Sequence, residues 1–433
     1  MSALKAPFQY TPAIHGVVLL SFVTETYKLR RFASHCTIED VSSPRSSLDS
    51  RVRILQLLLS EGSCSRPALA AQTGLTRAAV GVVAEELMER GILREGGRDE
   101  SRGGRRARLL EIVPDAAVAL GASMRDSDWS FAAADLHGEI IDEDREPMTA
   151  TDPSSAIQAL VAGYNRITKR LGGKTLLPAL GVGTPGLVDI HRGHVHSAVD
   201  LGWQEVPFAQ MAEEALGLPV RVANRSKVGA LAELWGHKGR SQRTLIYVSL
   251  GTGVAAGIII GGELFIGANS SAGELGHISV VPDGPVCGCG NRGCLQTLVS
   301  EEALLRRSRS LDNATGAPIV ADVSELFSRA LEGVQPELRV MEEAAEYLAV
   351  ALGTVVNLFN PEQLILGGPV VEGYPKLVGM VRERALLRSM HHPFEVVEIR
   401  ASRLGALSSP LGAAIMILKE LPRFVGEGAV SFR

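Results

Sequence analysis

The stretch GELGH at residues 273–277 is followed, ten residues after its histidine, by CGCGNRGC at residues 287–294. One imidazole and three thiolates make a full ligand set for tetrahedral Zn²⁺: His277, Cys287, Cys289 and Cys294. The interspersed glycines let the chain wrap around an ion, and four protein ligands leave no position for a reactive water. The stretch therefore predicts a structural zinc site. The alternative is a group of buried or disulfide-prone thiols, but two cysteines one residue apart seldom reach disulfide geometry.

Composition indicates a globular chain without a membrane anchor. The 433 residues are 45% hydrophobic and 21% charged, with a net charge of −4. This balance excludes a wholly basic nucleic-acid coat protein but leaves room for one basic module. The apolar run at residues 17–23 is too short to span a bilayer and lacks the flanks of a signal peptide. We therefore expect a cytoplasmic protein of about three compact units, with no membrane partner.

The N-terminal part of the chain divides into an unpatterned extension, residues 1–47, and a head, residues 48–112. In the head, apolar residues recur at helical spacing over residues 48–59, and a second short helix covers residues 66–72. Thr76 is a good N-cap for a third helix that runs to Arg90. Two strands at residues 92–95 and 106–113 flank a Gly- and Arg-rich loop. This order predicts a winged helix-turn-helix domain.

A winged head predicts a double-stranded DNA operator as partner. The third helix would place Thr76, Arg77 and Ala78 against base edges in the major groove. The arginines of the wing would enter the minor groove: Arg102, Arg105 and Arg106. Residues 48–110 contain 11 Arg and 8 acidic residues, a net charge of +3 against −4 for the whole chain. The alternative is a helical module with a solvated charged loop that docks a protein.

Beyond residue 112 the pattern alternates between strands and helices, which is typical of α/β layers. A strand pair at residues 117–123 and 129–135, turning at residues 137–138, is followed by a helix at residues 154–171. A long amphipathic helix covers residues 337–359. We expect a first lobe over residues 113–240, completed by a C-terminal helix near 405–420, and a second lobe with the zinc loop over residues 241–404.

Four motifs together resemble the ROK family of repressors and sugar kinases. They are GVGTPGLVD at residues 181–189, LGTG at residues 250–253, the GELGH segment with its cysteines, and the segment from Asn360-Pro361 to Gly367-Gly368. The resemblance covers about residues 48–420, and the head resembles the repressor branch. It implies an actin-like (ribonuclease H-like) ATPase fold of two sugar-kinase lobes, with a sugar cleft between them.

The chain departs from the family's kinases at both catalytic motifs. Their Asp-x-Gly-Gly-Thr phosphate loop is replaced by GASMRD at residues 121–126. Their Glu-Asn-Asp, whose Asp is the general base, is replaced by Ala223-Asn224-Arg225. An arginine cannot accept a proton at neutral pH. We therefore expect no enzyme activity, against the alternative of an active ROK sugar kinase with an appended head.

The resemblance also implies a ligand cleft, whose contacts would be Asp200, Asn224, Arg225, Glu274, His277 and Gln296. Three of these positions differ from the family pattern, at Asp200, Arg225 and Gln296. A guanidinium pairs with anionic groups, so Arg225 favours a sugar phosphate or a sugar acid. The alternative is an internal ion pair between Arg225 and Asp200 that closes a vestigial cleft.

The histidines at positions 191, 194 and 196 have two interpretations. His194 and His196 would share one face of a strand, so the three could form a metal cluster. The interpretation that we favour is a β-hairpin that lines the cleft.

Together these features predict a ROK-type transcriptional regulator, a repressor of carbohydrate-related genes. It would bind DNA as a homodimer or a dimer of dimers and respond to a small sugar-like effector. The alternative to effector control is a DNA-binding regulator that needs no ligand.

Overall fold

The head is a module of three helices and a three-stranded antiparallel sheet. The computed structural model describes residues 47–98, 107–125, 127–235, 244–315 and 319–432, all within one compact unit spanning residues 45–433. The elements of the head are α1 (Ser47–Glu61), β1 (Ser63–Ser65), α2 (Arg66–Thr73), α3 (Arg77–Glu89), β2 (Leu93–Arg98) and β3 (Arg108–Ile112).

Strand β3 lies in the centre of the head sheet, in the order β1-β3-β2. The Oγ1 atom of Thr76 accepts a hydrogen bond from the Ala79 amide at 3.1 Å, which confirms the predicted N-cap of α3. Gly74 turns the chain between α2 and α3 with φ +69, a conformation that glycine adopts at no steric cost. Strand β1 is absent from the prediction because three residues show no measurable alternation.

A five-stranded mixed sheet, in the order β11-β7-β4-β5-β6, follows the head. Strands β11, β7 and β4 are parallel, whereas β5 and β6 are antiparallel additions. The turn at residues 137–138 connects β5 to β6, not β4 to β5 as expected, because β6 carries a run of charged residues, 142–146, and was not recognised as a strand. The elements are β4 (Val118–Met124), β5 (Asp128–Asp135), β6 (Ile140–Pro147), α4 (Pro153–Arg170), β7 (Leu176–Thr184), α5 (Phe208–Leu216), β11 (Val220–Asn224) and α6 (Arg225–Trp235).

A small antiparallel sheet is inserted between β7 and α5. It consists of β8 (Leu187–Asp189), β9 (His194–Ala198) and β10 (Trp203–Val206), with β9 in the centre. A single 3₁₀ turn, Val199–Leu201, joins β9 to β10. The inserted segment is thus a hairpin, as favoured from the sequence.

A second five-stranded sheet has the order β14-β13-β12-β15-β16. If the strands of each five-stranded sheet are numbered 1 to 5 in chain order, both sheets have the order 3-2-1-4-5. In each sheet, two neighbouring pairs are antiparallel and two are parallel. The repeated topology confirms the two-lobed α/β fold. Its elements are β12 (Leu245–Leu250), β13 (Val254–Ile260), β14 (Glu263–Leu264), α7 (Gln296–Val299), α8 (Glu301–Thr315), α9 (Val323–Leu331), α10 (Glu337–Phe359), β15 (Gln363–Gly367), α11 (Pro369–Gly373), α12 (Lys376–Leu386), α13 (His391–Val396), β16 (Glu398–Ala401), α14 (Ser408–Leu418) and α15 (Leu421–Gly426).

Helix α14 packs against the first sheet at backbone distance. A Cβ atom at Gly181 of β7 would lie 1.9 Å from the carbonyl oxygen of Ala413, and one at Gly121 of β4 would lie 2.1 Å from that of Pro410. Only glycine permits this approach. We expect this contact if a helix near residues 405–420 completes the first lobe. The boundaries of the head and of the two lobes stay predictions.

The head shares its hydrophobic core with the end of the chain. Ile54 and Leu55 of α1 belong to the same buried cluster as Leu421 and Phe424 of α15. Near them, the guanidinium of Arg90 lies 5.9 Å from the centre of the Phe432 ring, within the range of a cation–π contact. Within the described part of the chain, none of the helices has the length and apolarity that crossing a bilayer requires.

Candidate functional site

The four predicted metal ligands come together. The ligand atoms of His277, Cys287, Cys289 and Cys294 all lie within 4.8 Å of one another. The Cys287 Sγ atom is 3.6 Å from Nδ1 of His277, and the sulfur atoms of Cys289 and Cys294 are 3.7 Å apart.

These separations fit a tetrahedral zinc ion. Zn–S bonds of about 2.3 Å and Zn–N bonds of about 2.05 Å separate two sulfurs by about 3.8 Å and a sulfur from a nitrogen by about 3.6 Å. The three cysteines of the cluster are free thiols. The cluster could therefore hold a metal ion without rearrangement.

The thiols differ in acidity because their surroundings differ. A hydrogen bond from the backbone of Asn291 lowers the pKa of Cys289 to about 7. Burial raises the pKa of Cys294 to about 12. A bound divalent cation would deprotonate both thiols.

A close backbone approach holds the cysteine loop in place. Gly293 has φ +63, and a Cβ atom there would lie 1.5 Å from the carbonyl oxygen of Val281. The Gly293 amide donates to the Pro285 carbonyl at 2.8 Å. The loop therefore brings Cys294 against His277, whose carbonyl oxygen accepts from the Cys294 thiol at 3.5 Å.

Gln296, a predicted ligand contact, is directed at the metal cluster. Its Nε2 atom donates to Cys287 Sγ at 3.5 Å. An amide that donates to a ligating sulfur orients it and stabilises its negative charge. This contact was missed from the sequence, where Gln296 had only a sugar-binding role.

A buried acid and a buried base lie beside the metal cluster. Burial raises the pKa of Glu274, while the charges of Lys227 and His277 oppose this rise. Burial lowers the pKa of Lys227, whose Nζ atom donates to the Ser270 carbonyl at 2.6 Å. Lys227 was missed from the sequence. The only signal was its position two residues after Arg225, at the start of the same helix.

The polar atoms of Asn224 bind the protein itself. Its Nδ2 donates to the Gly186 carbonyl at 2.8 Å, and its Oδ1 accepts from the Ser226 amide at 2.8 Å, which caps α6. Asp200 lies exposed on the 3₁₀ turn between β9 and β10. The ligand roles of Asp200 and Asn224 stay predictions.

Arg225 faces a cavity between the lobes. Its guanidinium donates to the Met124 carbonyl at 3.4 Å. The cavity, of about 70 Å³, is also lined by Arg125 and by the turn Gly251–Gly253. It thus occupies the region where the family resemblance places the phosphate loop.

Two serine hydroxyls on the wall of this cavity have no hydrogen-bond partner among the residues that the structure describes. Ser123 and Ser130 lie opposite each other on β4 and β5, are almost completely buried, and line the cavity beside Arg225. Buried hydroxyls are normally paired. Two arginines and two unpaired hydroxyls suit an anion, although Glu301 and Glu372 also contribute to the lining.

The predicted DNA-contacting residues of α3 are exposed. Thr76, Arg77 and Ala78 stand at the N-terminus of the helix, and Val82, one turn further along, is 68% exposed. An uncovered apolar side chain on this helix suits contact with a thymine methyl group. The predicted wing residues Arg102, Arg105 and Arg106 lie outside the described residues.

A cavity of about 620 Å³ lies where the head meets the body. It is lined by Arg53 and Leu57 of α1, by Trp235 at the end of α6, and by the Lys419–Glu263 ion pair. None of the predicted ligand residues lines this cavity. A large volume alone does not identify a ligand, so we assign none to it.

Comparison with known proteins identifies the same family. A model of the ROK family matches residues 120–420. The xylose repressor of Caldicellulosiruptor bescii is 30% identical over 86% of this chain and 96% of its own length. The glucokinase of Halalkalibacterium halodurans is 29% identical over 65% of this chain and 89% of its own length.

Solved structures agree on the fold. A ROK family transcriptional regulator, a homologue of the Escherichia coli MLC protein, superposes with a TM-score of 0.74 at 24% identity, over 88% of this chain and 99% of that one. A ROK family glucokinase from Streptomyces griseus, solved with glucose and AMPPNP, gives 0.62 at 27% identity, over 69% of this chain and 99% of its own.

Proposed function

Because the chain belongs to the ROK family, we propose that it is a sugar-responsive transcriptional repressor that binds an operator through its winged head. The observation that carries the proposal is the exposed N-terminus of α3 within the complete helix and strand order of a winged helix-turn-helix. The match to a repressor along 96% of that protein supports it. The glucokinase matches cover a smaller share of this chain.

The operator test is genome-wide selection of DNA fragments by the purified full-length chain. We expect enrichment of a few pseudo-palindromic sites beside carbohydrate-related genes, because two heads of a dimer would each read one half-site. Recovery of all DNA fragments in equal amounts would contradict a sequence-specific repressor. It would favour an architectural DNA-binding protein instead.

The body acts in this proposal as a sensor without kinase activity. Arg225 stands where the family's kinases carry their general base, and its guanidinium contacts the Met124 carbonyl next to the altered phosphate loop. A guanidinium cannot accept a proton. We expect no phosphorylation of glucose or xylose with ATP, under conditions in which a ROK glucokinase is active. A turnover above 1% of that control would support the appended-kinase alternative.

The effector that fits this body best is an anionic sugar. Arg125, Arg225 and the hydroxyls of Ser123 and Ser130 line the inter-lobe cavity. A phosphate or carboxylate group on the sugar would pair with these donors. Binding would favour one lobe arrangement and so change the spacing of the two heads in a dimer.

Calorimetry with matched neutral and anionic sugars tests the effector. Glucose and xylose should give weak or no heat, whereas their phosphates or acids should bind, and Arg225→Ala should weaken that binding at least tenfold. Lys376→Ala is a matched control because Lys376 lies on the surface of α12, donating to the Leu331 carbonyl. The absence of heat with all anionic sugars would favour a closed, vestigial cleft.

We further propose that the cysteine cluster binds one structural Zn²⁺. Four protein ligands at tetrahedral spacing leave no open position. Zinc would fix Nδ1 of His277 and thereby the orientation of an imidazole that lies beside Glu274. Metal and effector sites would then share one residue.

A further inference from the structure

The inserted hairpin brings two histidines and a glutamate to one point, far along the sequence from the cysteine cluster. The ligand atoms of His194, His196 and Glu205 lie within 4.8 Å of one another. The Glu205 Oε2 atom is 2.8 Å from Nε2 of His194, and both carboxylate oxygens are 3.3 Å from Nδ1 of His196. From these contacts we infer a second divalent metal site.

The strand register explains why the three side chains meet. Gln204 pairs with Ser197 and Val206 with Val195, so Glu205 stands opposite His196. Opposite residues of an antiparallel pair project from the same face, as do residues two apart on one strand. The neighbours Val195 and Val206 are buried on the other face. The hairpin thus anchors one face in the core and presents the three ligands on the other.

The spacing suits a first-row transition metal. Bonds of about 2.0–2.1 Å in a tetrahedron separate a nitrogen from an oxygen by about 3.3 Å, close to the observed 2.8–3.3 Å. Two imidazoles and one carboxylate favour Zn²⁺, Ni²⁺ or Cu²⁺ over the hard ions Mg²⁺ and Ca²⁺. Three protein ligands leave at least one position for water.

The three side chains are compatible with a shared cation. The two rings are 5.3 Å apart and both contact the same carboxylate. A divalent cation would bind neutral imidazoles and an ionised carboxylate, which are the forms that ligate metals.

The geometry separates this site from ordinary surface histidines. The side chains of His391 and His392 also contact one carboxylate, Glu395, but they are 79% and 92% exposed. His194 and His196 are 24% and 42% exposed. Partial burial holds the two hairpin imidazoles in place before the metal binds, which lowers the entropic cost of coordination.

Metal at this site would tie β9 to β10 around the turn that carries Asp200. The turn Val199–Leu201 is the sole connection between the two strands. A bound ion would therefore restrict the motion of a loop beside which the effector cleft was predicted. The inference itself rests only on the three side chains and holds whether or not an effector binds.

Counting zinc per chain against free Zn²⁺ tests the proposal. In equilibrium dialysis of the full chain with metal analysis, we expect two zinc ions per wild-type chain and one in His196→Ala or Glu205→Gln. His191→Ala, in the preceding turn between β8 and β9, and His392→Ala should still bind two. A tenfold excess of Mg²⁺ should not displace the second ion.

Cobalt distinguishes the two sites in the same samples. Cobalt bound by the cysteine cluster gives an intense thiolate band, whereas cobalt bound by the hairpin adds only weak visible bands. His196→Ala and Glu205→Gln should lose the weak bands and keep the thiolate band, which also shows that they fold. One zinc per wild-type chain, or two in both ligand variants, would overturn the proposal.

Discussion

The Sγ atom of Cys287 lies 3.6 Å from Nδ1 of His277, which is the distance expected of two ligands of one tetrahedral zinc ion. The charge of the same imidazole also acts on the half-buried Glu274, whose pKa it lowers against the effect of burial. If the cluster binds zinc as proposed, changes at the metal should be measurable at Glu274.

Loss of a cysteine ligand should destabilise the fold. Apparent binding energies of structural zinc are about 10–16 kcal/mol and are coupled to folding, so Cys289→Ser should lower the free energy of unfolding by about 3 kcal/mol. It should also abolish the cobalt–thiolate band in cobalt-loaded protein. Cys64→Ala, which changes a buried thiol of the head, should keep the full band. An unchanged band in Cys289→Ser would show that Cys289 is not a ligand, and the absence of a band in the wild type would show that the cluster holds no metal.

Arg77 should carry a large share of operator binding. It is exposed at the first turn of α3, and one bidentate arginine–guanine contact is worth about 1–3 kcal/mol. Arg77→Ala should therefore weaken operator binding about tenfold or more in a mobility-shift titration at fixed salt. Arg382→Ala removes an equal charge from exposed α12 and should leave the affinity within twofold. Equal losses in both variants would reduce the role of Arg77 to general electrostatics.

The contact of α14 with the first sheet should not tolerate a methyl group. A Cβ atom at Gly181 would meet the Ala413 carbonyl oxygen at 1.9 Å, and overpacking of a close-packed core costs about 1–3 kcal/mol. We expect Gly181→Ala to lower the free energy of unfolding by at least about 2 kcal/mol in urea titrations. Gly379→Ala on α12 meets no atom within 4 Å and should be neutral or stabilising, because alanine favours helix. A stable Gly181→Ala variant would refute the close contact.

Stability should fall in acid partly through Asp142. Side-chain hydrogen bonds from Arg170 at 2.9 and 3.1 Å lower the pKa of Asp142 below 3.8. A lowered carboxyl pKa contributes stability that is complete above pH 4 and is lost as the pH falls towards the pKa of the folded state. The pair is largely at the surface, so we expect a loss of only about 0.5 kcal/mol.

Replacing Arg170 removes its ion pair with Asp142, together with a longer one to Asp144 at 3.4 Å. In Arg170→Gln the unfolding free energy should depend less on pH between 4 and 2 than in the wild type, by chemical denaturation at each pH. Lys169→Gln removes a neighbouring charge from the same exposed turn of α4 and should keep the wild-type slope. An identical slope in both variants would show that the Asp142–Arg170 contact contributes nothing.

The sequence was sufficient for the fold class and for predicting that His277 and the three cysteines come together. Both depend on local signals: glycines with cysteines at fixed spacing, and apolar periodicity, which predicted the bounds of α10 correctly. Strand β6 was missed because charged residues stand on both of its faces, and β1 because it has only three residues.

The ligand site was less predictable because it depends on where long side chains turn. Gln296 turns to Cys287 and Arg225 to Met124, and no spacing in the sequence encodes these directions. Lys227 lies two residues after Arg225 in a helix whose sequence shows no functional motif. Only its burial and its charge interaction with Glu274 indicate a role. Glu205 joined the histidines through cross-strand register, which cannot be read before the hairpin is known.

The shared core of α1 and α15 has a consequence for biosynthesis. Ile54 and Leu55 pack with Leu421 and Phe424, so the first described helix is buried by residues that the ribosome adds more than 360 positions later. A head emerging from the ribosome would keep an uncovered apolar surface until the body is complete. Truncated or stalled chains would thus carry a destabilised head, and competence to occupy DNA would be limited to chains that have been translated to their end.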